Sequence, residues 1–141
     1  MKKIVLISCV AKKLNYKAKA KDLYISTLFK KSLAYAYLLK PDKIFILSAK
    51  YGLIDSDEEI FPYNETLNKK SSYEIKIWAD KVLQKLREKA NLDEDEFIFL
   101  AGNNYRKYLI TNIKNYKVPL EGLPIGKQLK FLNYHLNKSL I

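Results

Sequence analysis

Apolar residues along this chain fall into two alternating patterns, short unbroken runs and longer stretches spaced by three and four. Ile4-Val5-Leu6-Ile7 is unbroken and largely β-branched, which predicts a buried strand. Lys43 to Ser48 predicts a second strand, Glu96 to Leu100 a third and Tyr116 to Val118 a brief fourth. Between the first two, Ile25, Leu28, Phe29, Ala36 and Leu39 recur at near-helical spacing. They predict a helix capped by Asp22 and stopped at Lys40-Pro41. Ser71-Ser72-Tyr73-Glu74 has the form of a capping box and predicts a helix to about Ala90. Further helices are expected over Asn104 to Ile113 and Gly126 to Asn137, with loops over Cys9 to Lys21 and Ala49 to Lys70.

Strands alternating with helices predict right-handed crossovers and a covered sheet. The expected fold class is α/β: a three-layer sandwich with a short, mainly parallel four-stranded sheet, in one domain over residues 1–141. Ligands of such sheets bind outside the C-terminal strand ends. Here those ends are Ser8-Cys9, Ser48 to Gly52, Ala101 to Asn104 and the loop from Pro119.

Composition narrows the function. Apolar residues are 48% and charged residues 29%, an ordinary globular balance. No apolar run reaches the roughly 18 residues of a membrane span, so no membrane partner is expected and the cytoplasm is the default location. The four-residue run after Met1-Lys2-Lys3 is too short for a signal peptide. One cysteine, Cys9, and one histidine, His135, argue against an internal disulfide and a zinc site. No phosphate-cradling glycine motif occurs, and neither a metal nor a cofactor is expected. Lysine and arginine total 26 against 15 acids, a net charge of +11. The first 40 residues hold ten lysines and one acid, Asp22. Such a basic end suits a polyanion, with nucleic acid the expected partner and DNA ahead of RNA. The competing reading is a lysine-decorated surface, supported by there being only two arginines, Arg87 and Arg106.

Four stretches carry candidate chemistry. Ser8 and Cys9, with Lys12 and Lys13 close behind, sit at a strand exit, where hydroxyl and cations suit a phosphate and the thiol is a nucleophile or simply packs. Asp22 opens a helix with Tyr24 and Ser26 beside it, as a cap or as a cleft carboxylate. Ser48, Lys50, Tyr51 and Gly52 lead to Tyr63, Asn64 and Glu65; ring faces plus an amide suit a nucleobase, and a packed lid is the plainer account. Gly102 begins a strand-to-helix turn that presents backbone N–H groups, with Tyr105 and Arg106 in reach of a phosphate.

Taken together these motifs resemble a small uncharacterised domain family of bacteria, archaea and phages, domain of unknown function 6884. The resemblance rests on Ser8-Cys9 with trailing lysines, Ala20 to Tyr24 with Ser26 and Phe29, Ser48 to Leu53, and Pro62-Tyr63. That domain is similar to the YaaA family of peroxide-stress proteins and to the central domain of archaeosine synthase. The resemblance implies a uracil-DNA-glycosylase-like sandwich and a role around nucleic-acid bases. The water-activating Gly-x-Asp-Pro-Tyr stretch and the His-Pro-Ser stretch of true uracil-DNA glycosylases are absent. The expected function is an enzyme acting on a nucleobase or its N-glycosidic bond. The alternative is a non-catalytic DNA- or RNA-binding module in damage, stress or phage functions. Glycosidic cleavage builds an oxocarbenium-like sugar and needs a carboxylate. Asp22 and Glu65 are the candidates, with Lys50 beside them as catalytic cation. Ser8, Cys9, Tyr24, Ser26, Ser48, Tyr51, Gly52, Tyr63, Asn64 and Gly102 are expected around the base, and Lys12, Lys13, Tyr105 and Arg106 at phosphate.

Overall fold

A computed structural model describes residues 1–9 and 12–138. Its elements are β1 (Lys3–Ser8), β2 (Ala18–Lys19), α1 (Ala20–Leu23), α2 (Thr27–Leu38), β3 (Lys43–Ser48), β4 (Gly52–Asp55) and β5 (Glu59–Ile60). A 3-10 turn over Leu67–Lys69 follows, then α3 (Ser72–Lys89), β6 (Glu96–Leu100), α4 (Asn103–Ile110), β7 (Tyr116–Lys117) and α5 (Ile125–Lys138). Val10 and Ala11, inside the stretch from Ser8 to Lys13, lie outside the described residues.

The main sheet has five strands, not four, in the order β4-β3-β1-β6-β7. β1 is central and parallel to β3 and β6, and β7 runs parallel to β6. The unexpected strand is β4, which folds back antiparallel on β3 with Ser48 opposite Gly52. It holds only two buried apolar residues, Leu53 and Ile54, too short a run to stand out. A second, two-stranded sheet pairs β2 with β5 inside segments that read as loops.

Side-chain alternation along the sheet divides the core. Ile4, Leu6, Phe45, Leu47, Phe97 and Phe99 face α3 and α4, with Trp78, Val82, Leu86 and Leu109 packed against them. Val5, Ile7, Ile44, Ile46, Ile98 and Leu100 face α2 and α5, meeting Phe29, Tyr35, Ala36 and Leu132. Helices therefore cover both faces.

The helix expected from Asp22 to Leu39 is broken. Its first turn is α1, Tyr24 is extended (φ −89°, ψ 120°), and α2 begins afresh with Ser26 as its cap. The Ser26 hydroxyl accepts the Phe29 N–H at 3.2 Å, satisfying one of the N–H groups that a helix start leaves without an intrahelical acceptor, and so starts the helix there. Asp22 lies exposed within α1 and does not cap α2. The Ser71/Glu74 capping box forms as the sequence indicates. Among the described residues no helix is long and apolar enough to cross a membrane.

Candidate functional site

The connections leaving β1 and β6 pass to opposite faces of the sheet. β1 leads to α2 on one side and β6 leads to α4 on the other, so a crevice opens between their C-terminal ends. A cleft of about 610 Å³ occupies this switch point. Ser8 ends β1, and its Oγ accepts the Gly102 N–H at 3.2 Å, tying the two strand exits together. Cys9 follows, its Sγ 3.5 Å from Oγ of Ser26. The first turns of α2 and α4, at Ser26-Thr27-Leu28 and Gly102-Asn103, face the same space. Helix starts present N–H groups and a positive dipole end. Phe29, Leu100, Leu120 and Leu129 supply apolar wall.

Arg106 is the only charged side chain among the described residues lining the cleft, and no carboxylate lines it. Its Nη1 donates to the Ala101 carbonyl at 2.7 Å, and Nη2 lies 3.6 Å from Glu121. Its Nε is buried with no hydrogen-bond partner among the described residues. Leaving a buried donor unsatisfied costs about 1–3 kcal/mol, more when it is charged, so an acceptor arriving there relieves a standing penalty.

Cys9 and Ser26 form one shoulder of the cleft, and behind them lies a tyrosine cluster. The Tyr24 and Tyr63 hydroxyls are 2.6 Å apart, and Tyr51 meets Tyr63 edge-on at 5.6 Å. Ser48 is fully buried; its Oγ accepts the Tyr51 N–H at 3.0 Å and its hydroxyl also reaches both Tyr24 and Tyr63. Burial pushes both phenols above the ordinary tyrosine value, so they remain neutral. Lys13 Nζ sits 4.6 Å from the Tyr63 ring centre and 5.6 Å from that of Tyr24. Burial lowers the Lys13 pKa, opposed by nearby Cys9. The loop holding Lys13 is zipped down: Leu14 N–H donates to Leu23 O at 2.8 Å and Ile25 N–H to Lys12 O at 3.0 Å. Lys13 is thus a packed cation and not a loose surface one.

The remaining candidates fall elsewhere. Lys50, Tyr51, Gly52 and Glu65 line a separate groove of about 370 Å³ against α3. Glu65 is paired with Lys70 at 3.1 Å. Tyr105 lines the switch-point cleft, but its hydroxyl accepts the Leu67 N–H at 3.2 Å and its buried ring meets Trp78 edge-on. Those contacts make it a support for the 3-10 turn. Asp22, Lys12 and Asn64 are exposed and line neither depression. One end of the sheet therefore gathers Ser8, Cys9, Ser26, Gly102, Tyr105 and Arg106, with Lys13, Tyr24, Ser48 and Tyr63 adjoining. Sequence reasoning overlooked Asn68, Asn103 and Gln128 on the cleft wall. Only Asn103 carried a signal, since it directly follows the Gly102 turn.

A family model matches residues 4–134. The chain belongs to a family of unknown function, DUF6884. No curated protein and no solved structure matches it. Nothing in these matches links the chain to YaaA proteins or to archaeosine synthase. Among the described residues, no three His, Cys, Asp or Glu side chains group so as to hold a metal ion.

Proposed function

We propose that this DUF6884 member is a nucleic-acid-associated protein whose switch-point cleft takes one nucleotide. The phosphate lies against Arg106 and the first turns of α2 and α4, and the base and sugar lie along the apolar wall. The observation carrying this reading is Arg106, the only charged side chain among the described residues lining the cleft, with a buried Nε that has no hydrogen-bond partner among those residues. A uracil-DNA-glycosylase-like fold is part of the same proposal, supported by helices on both sheet faces and a ligand-sized crevice at the strand exits. Base excision calls for a carboxylate near the sugar. Asp22 and Glu65 both stand outside the cleft, so a binding role fits the geometry better than glycosidic cleavage.

Calorimetric titration with a nucleoside monophosphate and the matching nucleoside tests the proposal. The monophosphate should bind at least about tenfold more tightly, because a charge-assisted hydrogen bond contributes about 1.5–3 kcal/mol. Arg106→Gln should abolish that preference while leaving the circular dichroism spectrum unchanged. Equal binding of both ligands, or an unaffected Arg106→Gln protein, would refute it. Incubation with modified-base oligonucleotides, scored for abasic sites, separates binding from base release.

A further inference from the structure

The groove against α3 has an organisation the switch-point cleft lacks. Lys50 comes from the turn after β3, Lys70 from the segment before α3, and Lys81 and Lys85 from successive turns of α3 itself. Between these cations the floor is apolar, formed by Leu53, Ile77, Trp78 and Val82. Two carboxylates share the rim, and both are already engaged. Glu65 pairs with Lys70, and Glu74 accepts the N–H and hydroxyl of Ser71 in the capping box, each at 3.1 Å. Lys50, Lys81 and Lys85 have no ion pair among the described residues, and all three are exposed.

Tyr73, Ile77, Lys81 and Lys85 recur every four residues, so they form one stripe along α3. Tyr73 is 75% exposed and Ile77 39% exposed. An exposed ring and an exposed apolar side chain in line with unpaired lysines match the chemistry of an unpaired strand, which offers base faces and phosphates together. A duplex hides its base faces, and a purely acidic peptide leaves the ring and the apolar floor unused.

The groove and the switch-point cleft lie on either side of the short segment from Glu65 to Lys70. Glu65 and Lys70 line the groove, Asn68 lines the cleft, and Asn104 Nδ2 donates to Asn68 Oδ1 at 2.9 Å. We infer that the α3 groove is a track for single-stranded nucleic acid, whose phosphates meet Lys50, Lys81 and Lys85 while one neighbouring nucleotide enters the cleft across this segment. The second half of that statement rests on the function proposed above; the track itself does not.

The test is fluorescence anisotropy with a labelled single strand of about ten nucleotides, within the usual range of site sizes. Wild type is compared with a Lys50→Gln, Lys81→Gln, Lys85→Gln triple variant across a salt series. A control triple variant carries Lys30→Gln, Lys89→Gln and Lys114→Gln, exposed lysines that line neither depression. The groove variant should lose about tenfold or more in affinity. Its log–log salt slope should flatten by about two, at roughly 0.7 per phosphate contact on a single strand. Tyr73→Ala should weaken binding about tenfold with the slope unchanged. Mononucleotide titration of the groove variant should match wild type, so loss of the cleft reading and loss of the track register separately. Equal losses in both triple variants would overturn the track, as would duplex binding as tight as single-strand binding. Equal competition by a polyglutamate peptide would overturn it in favour of an acidic protein partner.

Discussion

Gly52 has φ +75°, and a Cβ built there meets nothing nearer than Val82 Cγ2 at 3.7 Å. Conformation requires the glycine, not lack of room. Gly52→Ala should therefore cost about 1–2 kcal/mol in urea unfolding, and Gly52→Asn less, because asparagine tolerates left-handed backbone better. Gly102 differs: its φ is −62°, and an added Cβ meets only Tyr105 at 4.0 Å. Gly102→Ala should stay within about 0.5 kcal/mol of wild type, which makes it a clean probe of the cleft mouth. Tyr24 and Tyr63 give a pH prediction. Burial raises both phenol pKa values in the folded state, so their contribution is intact below the ordinary value of 10.0 and is lost as pH climbs above it. Lys13, whose pKa is lowered by burial, acts with the opposite sign in the same alkaline range. The Tyr24→Phe, Tyr63→Phe double variant should show a shallower alkaline decline in stability than wild type. An identical decline would place these phenols outside the alkaline transition.

At the scale of elements, Asp95 fastens the start of β6 to the start of β1. Its carboxylate accepts the Lys2 N–H and the Asn91 N–H, both at 2.8 Å, in a residue only 5% exposed. Those backbone donors, Asn91 foremost, hold its pKa below the ordinary 3.8. A depressed carboxylate adds stability that is present above the unfolded value and lost as pH falls through the folded one. Asp95→Ala should cost about 2–3 kcal/mol at neutral pH and flatten the acid limb of the stability profile. A full-depth acid limb in that variant would assign acid unfolding to other carboxylates. The Ser71/Glu74 box was legible because a cap is decided within four residues. The start of α2 was misplaced because Asp22 and Ser26 both suit a cap, and the choice fell to the Lys13–Tyr24 backbone bridge from another part of the chain.

For the whole molecule, a net charge of +11 sets two responses to salt against each other. Like charges on a small body repel, so screening should raise the melting temperature of the free protein as ionic strength climbs toward about 0.15 M. The same salt should weaken nucleic-acid binding. A melting temperature that falls over this range would mean ion pairs such as Lys21–Asp57 and Lys43–Asp55 outweigh the repulsion. By itself the sequence determined what is local: the apolar runs of β1, β3 and β6, the α3 cap, and where the strands end. Each is readable because a few neighbouring side chains decide burial, capping or turn. Tertiary structure alone decided the partition of those exits. Ser48 to Gly52 turned back as β4, so Lys50 and Tyr51 joined α3, while Ser8 and Gly102 closed on each other across the switch point. It also packed a half-buried Lys13 against two rings and left Arg106 Nε without an acceptor among the described residues. Those outcomes depend on which face of the sheet each connection crosses, a property of chain segments far apart in sequence that no local pattern encodes.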